Sequence, residues 1–381
     1  MHIVIAPDSF KESLTALEIA NIIEQGFQSV FPDATFSKIP VADGGEGTLQ
    51  AIVDAKNGRL VAVEVNDPLQ RKVTAHYGLV DNDSVAIIEM ATASGLTLLS
   101  VDERNPLITT TYGTGELIRH ALDHGARKII LAIGGSATND GGTGMLQALG
   151  AQFLDQNQQP LTAGGAALQQ LHTIDLSNFD TRIQECEFEI ACDVDNPLVG
   201  ERGASAIFGP QKGATEDNVA TLDSALDHYA DITTALFNED HRFAHGAGAA
   251  GGMGFAALAF LKGQLKPGIR IVMDIVNLAD AVKNADLVIT GEGKIDRQTI
   301  FGKTPIGVAK TAKKFGKPVI GIAGSLGHDA YHVHDHGIDA VFTVTQRPET
   351  LEKALKDTAD NLLSLSRNIA ILYQLGMKTR G

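Results

Sequence analysis

Cysteine is scarce in this chain of 381 residues, where only Cys186 and Cys192 occur. Two cysteines cannot build the disulfide framework of a small secreted protein, and their scarcity favours a reducing compartment. No apolar stretch approaches the roughly 18 residues that a membrane-spanning helix needs. Residues 1–8 also lack the basic region and cleavable apolar run of a signal peptide. We therefore expect a cytoplasmic protein with no membrane partner.

Basic residues are too few to balance the acidic ones. The chain has 31 Lys and Arg against 46 Asp and Glu, which gives a net charge of −15. Such a field repels nucleic acid and anionic lipid, so neither is an expected partner. It also repels small anionic substrates unless a site supplies local cations or a metal. The charge says nothing of the oligomeric state, and a homo-oligomer stays open.

Glycine, by contrast, is abundant, with 40 of the 381 residues against an average near 7%. No G-X-Y period is present, which excludes a collagen-like chain. Clustered glycine in a globular chain marks backbone that turns sharply or lies close to a ligand. The glycine-rich loops are therefore the first place to look for function.

The two ends of the chain alternate strand and helix patterns. Near the start, the apolar run 3–6 is typical of a buried parallel strand, and a second strand is predicted over 35–39. Thr15 with Glu18 three residues later predicts the capped start of the helix between them. Near the end, the patterns predict strands 287–290, 319–323 and 340–345, a helix 305–315 and a last helix 349–375. This alternation indicates a Rossmann- or flavodoxin-like parallel sheet.

The middle of the chain has a different sequence pattern, in which several strands rich in β-branched residues precede the helices. It predicts strands 60–65, 72–77, 85–90 and 128–133 and helices 114–124 and 216–237. Our interpretation is a second α/β domain inserted into the first. The parallel-sheet domain would then be discontinuous, over 1–58 and 284–381, with the inserted α/β domain over 59–283.

Seven loops mix glycine with carboxylates, amides, hydroxyls or lysine, and most of them follow an apolar strand. They are 7–13, 43–48, 89–95, 109–115, 134–142, 192–197 and 291–298. Ligands of open α/β sheets bind at the carboxyl ends of the strands, and glycine-rich turns present backbone N–H groups to anions. One such loop is most often a tight turn, but seven together favour a phosphate-binding site.

Two familiar nucleotide fingerprints fail on inspection. Gly302-Lys303-Thr304 fits the end of a Walker A motif, but Arg297 stands where its first glycine belongs, so this is no P-loop. Residues 246–251 match G-x-G-x-x-G, yet no convincing strand precedes them. Packing at a helix start is the better explanation of that match.

Candidate metal ligands fall into two groups. The histidines of 328–336 lie in a charged connection, which predicts a solvated surface segment rather than a zinc site. Carboxylates offer the oxygen ligands that Mg²⁺ prefers, and Mg²⁺ needs only one or two of them beside substrate phosphates. Asp193 and Asp195 are two residues apart and would face opposite ways in an extended chain, so they need not share one ion.

Taken together, six segments resemble the type-1 glycerate kinases of bacteria. They are PDSFKESL at 7–14, PVADGGEGT at 40–48, GGSATNDGG at 134–142, CDVDNPL at 192–198, GAGAAGGMG at 246–254 and TGEGKIDRQ at 290–298. The resemblance covers about residues 1–378. It implies ATP- and Mg²⁺-dependent phosphorylation of D-glycerate (R-glycerate) to 2-phosphoglycerate, in a cleft between two α/β domains. A 3-phosphoglycerate-forming kinase, a nicotinamide-dependent dehydrogenase and a non-catalytic sugar-acid-binding protein stay open as alternatives.

Phosphoryl transfer depends mainly on positioning and on neutralised charge, which directs attention to carboxylates, lysines and glycine-rich backbone. As catalytic residues we expect Asp43, which could accept the hydroxyl proton, Lys11 and Asp193. Expected substrate-binding residues are Asp8, Ser9, Gly44, Gly45, Glu46, Ser136, Thr138, Asn139, Asp140, Glu292, Asp296 and Gln298. Expected nucleotide-binding residues are Gly113, Thr114, Gly115, Lys212 and Lys294, and expected metal ligands are Asp193, Asp195 and Glu292. For any one of them, a turn-stabilising contact is the alternative.

Overall fold

The computed structural model describes residues 1–45, 47–348 and 350–378. The strands, in chain order, are β1 (His2–Pro7), β2 (Thr35–Lys38), β3 (Arg59–Asn66), β4 (Lys72–Val80), β5 (Val85–Glu89), β6 (Lys128–Ala132), β7 (Gln152–Leu154), β8 (Thr173–Asp175), β9 (Glu187–Ala191), β10 (Gln264–Lys266), β11 (Leu287–Ile295), β12 (Val319–Leu326) and β13 (Ala340–Thr343). The α-helices are α1 (Ala16–Gln28), α2 (Thr48–Lys56), α3 (Ala91–Ser94), α4 (Tyr112–Asp123), α5 (Thr143–Ala148), α6 (Ala204–Phe208), α7 (Glu216–Phe237), α8 (Ala249–Leu261), α9 (Gly268–Ile275), α10 (Leu278–Lys283), α11 (Thr304–Lys314), α12 (Leu351–Lys356) and α13 (Thr358–Lys378). Within the described ranges, no helix is long and apolar enough to cross a membrane.

Contacts group the chain into two compact units. The first unit holds Met1–Asp43, Gln50–Asn57 and the chain from Ile269 onward, and the second holds Gly44–Leu49 and Gly58–Gly268. These groups differ from the expected division over 44–49, at Gly58 and over 269–283. The division into separately folding domains stays a prediction.

The first unit is built on a five-stranded, all-parallel sheet in the order β13-β12-β11-β1-β2. Counted within the unit, this is the 2-1-3-4-5 order of flavodoxin-like folds. The predicted parallel sheet is therefore confirmed. The order reverses between β1 and β11, and the carboxyl ends of strands at such a switch point are the usual ligand-binding position.

Local sequence explains why these elements form. Residues 3–6 of β1 are fully buried, as expected of a central parallel strand. At the start of α1, Thr15 N donates to Glu18 Oε2 at 2.8 Å and Glu18 N donates to Thr15 Oγ1 at 3.3 Å. This is the capping box that the sequence predicts. Helix α1 packs against α13, where a side chain at Gly26 would lie 2.5 Å from Ser366 Cβ.

The second unit is built on a six-stranded mixed sheet in the order β10-β9-β6-β5-β4-β3. Strands β5, β6, β9 and β10 run parallel, while β3, β4 and β5 form antiparallel pairs. Strands β7 and β8 form a separate antiparallel pair. The mixed sheet confirms an α/β fold, and the carboxyl ends of its parallel strands again share one edge.

Two sequence expectations are settled by the backbone. The single helix expected over 349–375 is wrong: α12 ends at Lys356, and α13 starts at Thr358 after a break at Asp357. Residue 349 lies outside the described residues. The interpretation of 246–251 as helix-start packing is confirmed, because residues 241–248 contain turns and no strand and a side chain at Gly248 would lie 2.1 Å from Pro197 O.

Candidate active site

A partly buried carboxylate lies at the switch point of the first unit. Asp8 directly follows β1, and its backbone N donates to Gly291 O of β11 at 2.8 Å. Its carboxylate accepts hydrogen bonds from Thr304 Oγ1 at 2.7 Å and from Ser9 N at 2.7 Å. Burial raises the pKa of Asp8 to about 6, the negative charge of Asp43 acts in the same direction, and the two hydrogen bonds act against them. Asp8 can therefore exchange a proton near neutral pH.

A second carboxyl group lies on the neighbouring strand. Glu292 of β11 is 8% exposed, Thr299 Oγ1 donates to its Oε1 at 2.6 Å, and Lys303 Nζ lies 3.6 Å from its Oε2. Burial raises the pKa of Glu292 to about 7, and the charge of Asp8 adds to this, while Thr299 and Lys303 lower it. Two carboxyl groups that titrate near neutral pH at a sheet's carboxyl edge are typical of an active site.

Two of the residues that contact these carboxyl groups, Lys303 and Thr304, lie at the start of α11, and the sequence does not predict them as site residues. Gly302 has a φ of +99°, and Lys303 and Thr304 follow it at the helix N-terminus. As a motif, Gly302-Lys303-Thr304 matches only the end of a Walker A sequence. The signal that points to a site here is a lysine and a hydroxyl at a helix start, separated from β11 by the short 3₁₀ helix Arg297–Phe301.

Of the other expected residues in the first unit, Asp296 and its neighbours form an exposed turn. Asp296 Oδ1 accepts from Gln298 N at 2.8 Å, which caps the 3₁₀ helix Arg297–Phe301, and Lys294 Nζ lies 3.1 Å from Asp296 Oδ2. Lys11 is exposed and lines a cavity of about 120 Å³. That cavity lies beside the carboxyl ends of β11, β12 and β13.

In the second unit, the glycine-rich loop after β6 is fixed by a fully buried carboxylate. Asp140 accepts hydrogen bonds from Thr111 N and Thr111 Oγ1, both at 2.8 Å, from Gly142 N at 3.1 Å and from Gly144 N at 3.2 Å. Burial raises the pKa of Asp140, and these hydrogen bonds oppose that shift. Asp140 thus holds the end of the loop 134–142 at the start of α5.

A buried lysine holds the same loop from the other side. Lys212 is 1% exposed, and its Nζ donates to Ser136 Oγ at 2.9 Å and to Thr138 O at 2.7 Å. Burial lowers the pKa of Lys212 to about 7, and only the charge of Asp140 acts against this. Asn139 Nδ2 donates to Ser205 Oγ at 2.9 Å. The structure therefore brings the expected residues 136–140 together with Lys212 in one buried network that positions the loop.

The expected nucleotide-binding residues at the start of α4 are buried in packing. A side chain at Gly113 would lie 1.9 Å from Asn66 O, and one at Gly115 would lie 2.3 Å from Met145 O. Thr114 Oγ1 and Ser94 Oγ are hydrogen-bonded at 2.8 Å. Close packing therefore explains these small residues, and their role in nucleotide binding stays a prediction.

Asp193 follows β9, and Gly44 and Gly45 lie near the carboxyl edge of the same sheet. Asp193 Oδ1 accepts from Gly268 N at 3.0 Å, and a side chain at Gly44, whose φ is +94°, would lie 2.4 Å from Gly268 Cα. Gly45 lines a cavity with Gly44. Glu46 lies outside the described residues.

The role of Asp193, Asp195 and Glu292 as metal ligands stays a prediction. Asp195 is exposed and pairs with Arg202 at 3.0 Å, while the buried carboxyl of Glu292 faces Lys303. The residues that the structure describes include no group of three or more His, Cys, Asp or Glu side chains that could hold a metal ion. The use of Mg²⁺ with ATP stays a prediction.

Comparison with known proteins identifies the family of this chain. The sequence model of the glycerate kinase family matches residues 3–374. The chain belongs to the glycerate kinase family. It is 58% identical over 370 residues to a glycerate kinase of Haemophilus influenzae, covering 97% of this chain and 98% of the relative. It is 53% identical over 381 residues to the glycerate 2-kinase of Escherichia coli K12, covering 100% of both chains.

A solved structure supports the fold of this family member. A crystal structure of a protein assigned as glycerate kinase 2, from Salmonella typhimurium LT2, is 53% identical, matches with a TM-score of 0.93 and covers 99% of each chain. The glycerate kinase resemblance given by the six sequence segments is therefore confirmed, as is the mixed α/β fold that it implies.

Proposed function

We propose that this chain is an ATP-dependent kinase that phosphorylates D-glycerate at its 2-hydroxyl and releases 2-phosphoglycerate and ADP. The observation that carries the proposal is the end-to-end identity of 53% with a protein named glycerate 2-kinase. The chemistry of the switch point supports it. A kinase for a small alcohol needs a proton acceptor and local positive charge, and the first unit provides Asp8 beside Thr304 and Lys303 beside Glu292.

In this proposal, Asp8 takes the proton. The glycerate O–H bond breaks as the glycerate oxygen forms a bond to the γ-phosphorus of ATP. The bond between the γ-phosphorus and the oxygen that bridges it to the β-phosphate breaks, and ADP leaves with that oxygen. With a pKa of about 6, Asp8 is ionised over most of the population at pH 7 and is still basic enough to accept a proton. Asp43 keeps that pKa high, and its own expected role as the proton acceptor stays the alternative. Lys303 and Lys11 supply positive charge toward the phosphates.

We place the activity in the cytoplasm. Cys186 and Cys192 are both free thiols, which supports a reducing compartment.

The direct test measures ADP release from ATP and Mg²⁺ with D-glycerate, with L-glycerate and no acceptor as controls. We expect release that depends on D-glycerate, and phosphorus NMR of the product should show phosphate on the 2-oxygen. Folded protein that releases no ADP would contradict the kinase proposal. A 3-phosphorylated product would retain the kinase and correct the position.

A further inference from the structure

A cavity of about 450 Å³ lies at one edge of the sheet in the second unit. It is lined by Gly44, Gly45, Glu89, Ala91, Thr92, Thr97, Leu98, Ala132, Gly134 and Gly135. Glu89 and Ala132 are the last residues of the neighbouring parallel strands β5 and β6. The cavity thus occupies the carboxyl end of a parallel strand pair, the position where α/β sheets bind ligands.

Among the described residues, nothing explains why one position that lines this cavity is glycine. Gly134 is exposed, its φ lies outside the left-handed region, and a side chain there would meet no atom of the described residues within 4 Å. Position 113, by contrast, must be glycine, because a side chain there would lie 1.9 Å from Asn66 O. A glycine that neither conformation nor packing requires leaves its backbone open to close approach by a ligand. The next residue, Gly135, has a φ of +73° and continues the bare backbone.

The size and lining of the cavity indicate the class of ligand. Its volume lies in the roughly 300–1,000 Å³ range of small-molecule pockets, several times larger than a three-carbon acid needs. Ala91, Leu98 and Ala132 offer apolar surface. Thr92 adds a hydroxyl, which donates to Glu89 O at 2.8 Å, and Glu89 adds a carboxylate, whose Oε1 accepts from Leu49 N at 2.9 Å. An apolar wall suits a purine base, while a carboxylate at a strand end is suited to ribose hydroxyls.

The loop that carries Gly134 is held in place before any ligand binds. Ser136, two residues further on, accepts from the buried Lys212, and Ala137 N donates to Ser94 O at 2.9 Å. A backbone fixed in this way loses little conformational freedom when a ligand binds, which favours affinity.

We propose that this cavity binds the adenosine part of ATP, with the backbone of Gly134 and Gly135 in direct contact with the nucleotide. The proposal rests on the kinase function and adds to it the place of the nucleotide. It also differs from the sequence expectation, which put the nucleotide at Gly113, Thr114, Gly115, Lys212 and Lys294 and gave Gly44 and Gly45 to the substrate.

The first test fills the cavity. Gly134→Val adds a branched side chain to open space, so the thermal midpoint should stay within about 2 °C of the unmodified chain. Calorimetry with ADP should show binding weakened about ten-fold or more, and KM for ATP should rise similarly while KM for D-glycerate stays within about two-fold. Gly376→Val, in helix α13, is the control, because Gly376 also lacks a positive φ, a Cβ added there would meet no described atom within 4 Å beyond its own helix turn, and Gly376 does not line the cavity. Unchanged ADP affinity in Gly134→Val, or a rise confined to KM for D-glycerate, would overturn the proposal.

A second test remains available if Gly134→Val does not fold. The chain contains no tryptophan, so Thr97→Trp would place a single fluorescent reporter at an exposed position of the cavity lining. Its emission should change saturably with ADP and stay constant with D-glycerate alone. If the emission does not change with ADP while calorimetry still shows ADP binding, the proposal is overturned. If ADP changes the emission but D-glycerate is never phosphorylated, the kinase function fails and the nucleotide site stands.

Discussion

Removing one hydroxyl from the start of α11 should shift the pH dependence of catalysis. Thr304 Oγ1 donates to Asp8 Oδ2 at 2.7 Å, and Thr304 is fully buried. This hydrogen bond stabilises the ionised carboxylate and so lowers the pKa of Asp8, which burial holds at about 6. Thr304→Val keeps the shape of the side chain and removes the donor. The pKa of Asp8 should therefore rise.

The size of the shift follows from the strength of the bond. A hydrogen bond to a charged group contributes about 1.5–3 kcal/mol, and one pKa unit corresponds to about 1.36 kcal/mol. The pKa of Asp8 should then rise by roughly one to two units, from about 6 to roughly 7–8. If the ionised form is the active base, kcat/KM at pH 6 should fall roughly five- to fifty-fold. The loss should shrink as the pH rises above the new pKa.

The assay is kcat/KM for D-glycerate from pH 5 to pH 9, followed by ADP release. Thr311→Val is the matched control, since Thr311 lies in the same helix and donates to Gly307 O at 3.0 Å, not to a carboxylate. Its acid limb should match that of the unmodified enzyme. An acid limb that is unchanged or moves to lower pH in Thr304→Val would refute Asp8 as the proton acceptor.

Three further substitutions test other parts of the two units. Asp43→Asn should cut turnover by orders of magnitude with the fold intact, and it should move the acid limb to lower pH because a charge that raises the pKa of Asp8 is gone; unchanged turnover would remove Asp43 from the site. The pKa of Lys212 falls from 10.5 to about 7 on folding, so the unfolded chain binds more protons than the folded chain between these pH values. The free energy of unfolding should therefore drop as the pH falls from 10.5 to 7, by up to about 1.4 kcal/mol per pH unit. In Lys212→Met, urea unfolding at several pH values should show a flatter dependence, and an equal slope would contradict the burial of this amine. Gly113→Ala should destabilise the protein by about 1–3 kcal/mol, because the new methyl meets Asn66 O, with KM for ATP unchanged; a higher KM at unchanged melting temperature would restore the nucleotide interpretation.

The elements with strong apolar signals were predictable, and those with polar sequence were not. The parallel sheet of the first unit follows from short buried runs such as 3–6 and 319–323. Strand β11 was expected to end at Thr290, yet it continues to Ile295. The extension Gly291–Lys294 is polar and rich in glycine, so it carries no apolar signal. Glu292 was therefore expected in a loop, whereas it is a strand residue with a buried carboxyl group.

In the candidate site, the sequence predicts individual residues but not the contacts between residues that are far apart in the chain. Asp8, Ser136, Asp140 and Glu292 could be singled out because each follows or ends an apolar strand. Thr304, whose hydroxyl donates to Asp8, is separated from it by 296 positions in the chain. The spacing of residues in the sequence cannot reveal such a contact. The burial of Lys212 is likewise a tertiary property, since its local sequence resembles an ordinary surface turn.

The order of strands in the first unit has a consequence for synthesis. Strand β1 is central, with β2 on one side and β11 on the other, and Ile3 is paired with Leu287. At about 5–20 residues per second, the ribosome makes the intervening chain in roughly 15–60 seconds. During that time β1 has an unpaired edge, and such an edge invites pairing with other chains. We predict that the second unit, whose strands lie between Arg59 and Lys266, folds on its own during this interval. A chain truncated before β11 should therefore contain a folded second unit together with an aggregation-prone N-terminal strand.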